Sequence, residues 1–269
     1  MITADYHVHS KFSSDSESTM ESMIEKAISL GMERICFTDH MDYDFPVYNG
    51  YTFVFDPDEY FDALNILKVR YQDKIKVLIG VELGLQPYLA DRYHQLLSKY
   101  PFDFAIGSSH LVNGIDPYRK EYWEDKSKEE GMLSYFKSII DNVKAFNDFQ
   151  VYGHLDYAIR YAPNTNEGYT YERFSTIIDT MLKTIIEHDK GIEINTSGFK
   201  YGLGHPHPHS DILRRYKELG GEVITIGSDG HKPEHLGYDF KKAEELLTLL
   251  GFQYYTIFEK KKPIFLKLN

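Results

Sequence analysis

Short apolar runs alternate with longer helical segments along the whole chain. Residues 2–8 predict a first strand, and residues 19–30 a helix that stops at Gly31. Residues 33–38 read as the second strand. The polar and aromatic stretch 39–55 that follows is too long for a simple connection and is expected to be a lid or binding loop. Asp56 or Asp58 then caps a helix running to residue 72. The third and fourth strands fall at 75–81 and 103–107, and a second long loop, 111–126, carries Tyr118, Tyr122 and Trp123. The pattern continues with a helix at 129–146, a strand at 149–152, a helix at 171–188 and a sixth strand at 191–195. A Gly- and His-rich loop at 196–209 leads to a helix at 211–219, a seventh strand at 222–226 and a helix at 240–250. A strand pair at 254–258 and 264–268 closes the chain.

No linker, repeat or low-complexity segment interrupts this series, so residues 1–269 are expected to form a single domain. Seven β-α units with continuously apolar strands predict an α/β fold, a parallel sheet closed as a barrel. An open doubly wound sheet is the alternative, and it lacks the Gly-rich dinucleotide fingerprint expected after its first strand.

Composition narrows the picture. At 269 residues, 42% hydrophobic and 15% aromatic, the chain can bury a sizeable core, and 22 Tyr against 1 Trp imply many half-buried, half-polar positions. A formal charge of −11 argues against a nucleic-acid or anionic-membrane partner but leaves room for a pocket made positive by bound cations. The single cysteine, Cys36, excludes an intrachain disulfide and, within Ile35-Cys36-Phe37, reads as a buried structural thiol. Asp5, His7 and His9 interrupt what would be the apolar region of a signal peptide, and no run reaches the ~20 apolar residues of a membrane span. The expectation is a soluble, cytoplasmic protein.

Candidate chemistry gathers at the strand ends. The first strand ends in His7 and His9, which point to one face, with Asp15 beyond them. The second ends in Asp39-His40, the third in Glu82, and the fourth is followed by His110. His154 and Asp156 follow the fifth, and Asp229 and His231 the seventh. In a parallel barrel these ends share one face, where catalytic residues collect. A lone histidine is usually a core residue and a lone aspartate a helix cap. Six strand ends offering the same ligand chemistry are explained by a metal centre. His7, His9, Asp15, His40, Glu82, His110, His154, Asp229 and His231 exceed the needs of one zinc and suit two or three divalent ions, with Glu82 able to bridge two. Imidazole and carboxylate without thiolate leave zinc, iron or manganese open.

These motifs resemble, in order and over nearly the whole chain, those of the PHP (polymerase and histidinol phosphatase) superfamily of metal-dependent phosphoesterases. They are His7-x-His9, Thr38-Asp39-His40, Glu82, His110, Gly153-His154-Leu155-Asp156 and Ser228-Asp229-Gly230-His231. The resemblance implies a distorted (β/α)7 barrel with its metal site at the carboxyl ends of the strands. It also implies a division of ligands: His7, His9, Glu82 and Asp229 for one ion; Glu82, His110 and His154 for a second; Asp15, His40 and His231 for a third. Size, the stretch 153–161 and Glu193-Ile194-Asn195-Thr196-Ser197-Gly198-Phe199-Lys200 look like the stand-alone histidinol-phosphate phosphatases. That likeness implies a phosphate contact from Arg160 and a second from Lys200. Some relatives carry an arginine where this chain has Ser197.

The expected activity is hydrolysis of a small phosphate monoester, histidinol phosphate, by a hydroxide bridging two ions, with Arg160 offsetting phosphoryl charge. Asp39, His231 or a metal-bound water would protonate the leaving group. Asp42 or Asp44 could bind a substrate amine, and His235 could line the pocket. Substrate choice would rest on loops near Tyr48, Tyr118 and Trp123. His205, His207 and His209, alternating with Pro206 and Pro208, are expected to rim the site rather than bind metal. His94 and His188 are read as surface or packing residues. Two rival readings are a phosphoesterase acting on nucleic-acid ends or phosphoprotein, and a non-catalytic module that keeps metals only for folding. The sequence does not fix an oligomeric state.

Overall fold

The structure, a computed structural model, describes residues 1–47 and 50–268. In chain order its elements are β1 (Ala4–Val8), α1 (Met20–Ser29), β2 (Arg34–Phe37), β3 (His40–Met41), α2 (Pro57–Tyr71), β4 (Lys76–Gly84) and α3 (Ala90–Lys99). There follow β5 (Phe104–Ser108), α4 (Lys120–Trp123), α5 (Lys128–Ala145), β6 (Val151–Tyr152), α6 (Tyr171–Glu187), β7 (Gly191–Asn195) and α7 (Ser197–Lys200). The last are α8 (Ser210–Glu218), β8 (Ile224–Gly227), α9 (Phe240–Leu249), β9 (Tyr254–Glu259) and β10 (Lys262–Lys267).

The strands pair in parallel in the order β1-β2-β4-β5-β6-β7-β8, with β3 added to the end of β4. Every residue of β1, β5, β7 and β8 is buried, as a sheet walled by helices on its outer side requires. The ring closes only at its carboxyl end. There Val8 and Gly230 form a parallel bridge, His9 N donates to Gly230 O (2.9 Å) and Gly230 N to His7 O (3.2 Å). The result is the distorted (β/α)7 barrel. Lower down, the β9–β10 hairpin packs against both edge strands: Tyr6 Oη donates to Phe258 O (2.8 Å), and Ile224 N to Thr256 Oγ1 (3.2 Å). The seam thus falls beside the strands that carry His7, His9 and Asp229.

Local chemistry explains most boundaries. Thr19 and Asp56 accept backbone N–H groups at the starts of α1 and α2, and Ser127 with Glu130 forms a capping box on α5. Gly31, at φ +73°, ends α1 in the left-handed region. α6 buries Phe174, Ile178, Met181, Leu182 and Ile185, one stripe at helical spacing. Cys36 is buried and carries no disulfide. Among the described residues, no helix is long and apolar enough to cross a membrane.

Several details differ from the hydrophobic pattern. β4 runs on to Gly84, because β3 and β5 both pair with its last turn and hold Glu82 inside the sheet. α3, absent from the sequence reading, buries only Tyr93, Leu96 and Leu97 and has no side-chain cap at its start. Within the stretch 39–55, Asp42 N donates to Phe53 O (2.6 Å) and residues 40–41 form β3. The Gly- and His-rich stretch holds α7 and an antiparallel bridge between Asn195 and His207.

Candidate metal centre

The strand ends bring the expected side chains together. His7 and His9 leave β1 on one face, their rings 5.0 Å apart. From β4, Glu82 reaches into the middle of the group. Its Oε2 lies 3.2 Å from His7 Nε2, 3.5 Å from His9 Nε2 and 3.1 Å from His40 Nδ1. Its Oε1 lies 3.2 Å from His110 Nε2 and 2.8 Å from His154 Nε2. Asp229, held at φ +52° just after β8, sets Oδ1 3.4 Å from His9 Nε2 and 3.8 Å from His7 Nε2. Asp15 Oδ2 lies 3.1 Å from His231 Nε2 and 3.8 Å from His40 Nε2, and the His9 and His231 rings stack at 4.1 Å.

This donor set fits metal ions. His7 Nε2, His9 Nε2, His40 Nδ1, His231 Nε2 and Glu82 Oε2 are sealed from solvent without a hydrogen-bond partner. Such atoms are costly unless something else satisfies them. Ligands about 2.1 Å from a tetrahedral zinc stand ~3.4 Å from one another, close to most of the separations above. Four ligand groups emerge: His7, His9 and Glu82; Glu82, His110 and His154; His9, His40 and His231; and His40, Asp42 and His110. Asp229 stands beside the first group and Asp15 beside the third.

The electrostatics agree. Burial opposes ionisation of Glu82, yet His7, His110 and His40 hold its carboxyl well below the usual range. Burial likewise works against Asp229, and His7 and His9 more than offset it. Burial, with His231 and His40 nearby, pushes His9 well down, so it sits as neutral imidazole, the form that ligates metal.

Behind the ligands stand partners that fix their rings. His7 Nδ1 donates to Glu193 Oε1 at 2.6 Å, and His110 Nδ1 to Asp42 Oδ2 at 2.6 Å. Carboxylates placed this way set the tautomer that turns the other ring nitrogen to the ion. His9 Nδ1 donates to Ser13 Oγ (3.0 Å), which donates to Asp39 Oδ1 (2.8 Å). The sequence reading missed Glu193, although a carboxylate inside the wholly buried strand Gly191–Asn195 is itself a signal.

Two of the expected roles change. Asp39 does not line the cavity: it is fully buried and accepts from Ser10 N (2.7 Å), Ser10 Oγ (3.0 Å) and Ser13 Oγ. It steadies His9 through Ser13 and is not placed to protonate a leaving group. Asp42 does line the cavity, but His110 takes the carboxylate that was expected to meet a substrate amine. Gly84 permits this approach, since a Cβ there would lie 2.5 Å from the Asp42 carboxyl carbon.

Above the ligands opens a cavity of about 370 Å³. Its lining includes Arg160, His235 and Lys232, the last not foreseen from sequence. The Arg160 guanidinium carbon lies over Tyr201, 3.1 Å from the ring centroid, and 5.0 Å from that of Tyr161. Lys200 stays outside the wall, donating to Asp229 O at 3.2 Å. The lining also offers Phe45, Phe53 and a further missed carboxylate, Asp116, whose Oδ1 accepts from Tyr118 N (2.8 Å). Burial pushes the Asp116 carboxyl up.

The other singled-out residues lie elsewhere. Asp44 pairs with Arg92 at the surface, His94 with Asp148 (2.5 Å), and His188 bonds Thr184 O at the end of α6. Trp123 is buried and donates to Pro117 O, while Tyr118 stands exposed, edge-on to Tyr161. Tyr48 falls outside the described residues. His205 and His207 do not rim the site, for both are buried.

Residues 5–197 match the PHP domain. The chain belongs to the PHP domain family. A histidinol-phosphatase of Lactococcus lactis is 36% identical over 94% of this chain and 93% of its own length. A probable histidinol-phosphatase of Clostridium acetobutylicum is 36% identical over 89% of this chain and 90% of its own. The crystal structure of histidinol phosphate phosphatase from Lactococcus lactis, complexed with zinc, L-histidinol and phosphate, superposes with a TM-score of 0.90. It is 35% identical, and the match covers 97% of this chain and 98% of that one.

Proposed function

We propose that this PHP-family chain is a metal-dependent phosphomonoesterase that hydrolyses L-histidinol phosphate to L-histidinol and phosphate, a cytoplasmic step of histidine biosynthesis. The observation that carries the reading is the convergence of four donor groups, two of them sharing Glu82, beneath a cavity that Arg160 helps to line. The likeness to the Lactococcus lactis enzyme over almost the full length of both chains supports the choice of substrate.

His7, His9, Glu82 and Asp229 would hold one ion, Glu82, His110 and His154 a second, and Asp15, His40 and His231 a third. Bound there, divalent ions such as zinc supply Lewis acidity toward phosphoryl oxygens and lower the pKa of water. The rest falls to the chain's own groups. Arg160, held over the Tyr201 ring, would offer N–H donors to the phosphoryl oxygens with little reorganisation. Phe45 and Phe53 give the organic part an apolar wall, and Asp116 a carboxylate for a cationic group. Lys232 adds positive charge to the lining.

Small-ester rather than nucleic-acid hydrolysis goes with a net charge of −11 and a cavity of small-molecule size. The test is phosphate release from histidinol phosphate by protein stripped with chelator and then restored with zinc, iron or manganese. Activity that returns with metal and favours histidinol phosphate over p-nitrophenyl phosphate is expected. Equal turnover of both esters would overturn the substrate but not the class, and no turnover with restored metal would overturn both.

A further inference from the structure

In the loop of alternating histidine and proline, residues 205–209, the first four residues are buried and the loop is tied down at two places. His207, 1% exposed, donates from Nδ1 to Asp156 Oδ1 at 2.5 Å. Asp156, fully buried, also accepts Tyr169 Oη (2.9 Å) and His209 N (2.8 Å) on Oδ2, so the loop and α6's leading segment close around one carboxylate. The second tie is a backbone bridge: His207 N donates to Asn195 O (2.8 Å) and Asn195 N to His207 O (2.7 Å). Gly198 makes room for the crossing, since a Cβ there would lie 2.4 Å from His205 O.

Both anchors belong to strand ends that serve the donor cluster. Asp156 stands two residues beyond His154 at the exit of β6. Asn195 ends β7, and its Nδ2 reaches Glu193 Oε2 (3.1 Å) and Asp229 Oδ2 (3.5 Å). Glu193 in turn takes His154 N on Oε2 (3.0 Å) and His7 Nδ1 on Oε1. His207 therefore spans from the turn carrying His154 to the residue that steadies Asp229 and, through Glu193, His7.

We infer that His207 is a positioning residue of the metal centre, holding the exits of β6 and β7 at the separation that lets His154, His7 and Asp229 bind ions together. The inference rests on the metal reading given under Proposed function. Donor distances must be kept within a few tenths of an ångström for tight binding, and ligands on different strands depend on ties between those strands. Truncating His207 leaves a buried carboxylate without its charge-assisted donor and frees the β6 turn to shift.

The test uses the metal-loaded full chain and zinc as the probe, with zinc retention titrated against a competing chelator and kcat and KM measured separately. His207→Ala is expected to release zinc at a chelator concentration about tenfold lower than the wild type, in the range for lost outer-sphere partners. Its kcat falls while KM stays within about twofold. His207→Asn, whose amide can donate from near the Nδ1 position, restores most of both, whereas His207→Gln, whose amide sits farther out, does not. His205→Ala, in the same loop without a bond to Asp156, lowers melting temperature without changing zinc retention. Wild-type zinc retention and kcat in a folded His207→Ala protein would overturn the inference. If His207→Ala does not fold, indistinguishable Asn and Gln variants would overturn it instead. A wild type that takes up no zinc removes the metal reading itself, a failure visible separately in the same titration.

Discussion

Glu82 is the residue on which the site turns, since its two oxygens lie within 3.5 Å of nitrogens from His7, His9, His40, His110 and His154. Its substitution, Glu82→Gln, keeps the shape and removes the charge that lets five imidazoles converge. Activity is expected to fall by more than about 100-fold, with metal content dropping in elemental analysis, because a direct ligand should cost more than the 10–100-fold typical of outer partners. Glu193→Gln should show that smaller loss, about 10–100-fold in metal affinity or activity, since the amide can no longer fix the His7 tautomer as a carboxylate does. Full activity in Glu193→Gln would mean that the tight His7 contact does not set the ring. The contrast between the two residues also marks what a sequence reveals at this scale. Histidines and acids repeated at strand ends advertise themselves by position. Glu193 and Asp42 act by touching residues far along the chain, and nothing in their own neighbourhoods says which. Asp39 shows the reverse: a motif residue beside a ligand, whose carboxylate the fold turned toward Ser10 and Ser13.

Elements were legible where a continuous apolar stripe or a cap announced them. β7 matches its expected span, and α6 and α9 agree to within a residue. α3 escaped because a stripe of three buried residues among charges carries little signal, and it is held by packing rather than by its own ends. β4 was placed too short because its last turn is made strand-like by partners on both sides, a tertiary effect. Caps can be separated from chemistry by experiment. Asp56 takes the N–H groups of Asp58 and Glu59 on the solvent side of α2, away from the cavity. Asp56→Ala should cost about 1 kcal/mol in denaturant unfolding and leave kcat unchanged. A matching fall in kcat would show that α2 positions the site, which no contact of Asp56 suggests. Gly227, at the end of β8, is the opposite case: a Cβ there would lie 2.3 Å from both Glu193 Oε1 and His7 Cβ. Gly227→Ala should therefore damage metal binding more than its size alone would imply.

At the scale of the molecule, the barrel buries a concentration of like-charged and unlike-charged groups that only partly satisfy one another, and its pH behaviour depends on whether metal is bound. In the metal-free protein, burial opposes protonation of His110, but Asp42 and Glu82 outweigh it and push the imidazole up to about 10. His7 and His40 move in the same direction, each against burial and through neighbouring carboxylates. A histidine whose pKa is raised by folding keeps a proton that the unfolded chain gives up. Its stabilising contribution is complete below about 6.5, the ordinary value, and is lost as pH rises toward 10. Metal binding runs the other way, because the same nitrogens must shed their protons to ligate. The melting temperature of chelator-treated protein is thus expected to fall between pH 6.5 and 9, while the gain from added zinc grows over that interval. Calorimetry at pH 6.5, 7.5 and 9, with and without zinc, reads both slopes in one series. Parallel curves, with the same zinc increment at every pH, would mean that these histidines are not the groups that exchange protons for metal. A widening gap would tie the barrel's stability directly to the cluster its strand ends assemble.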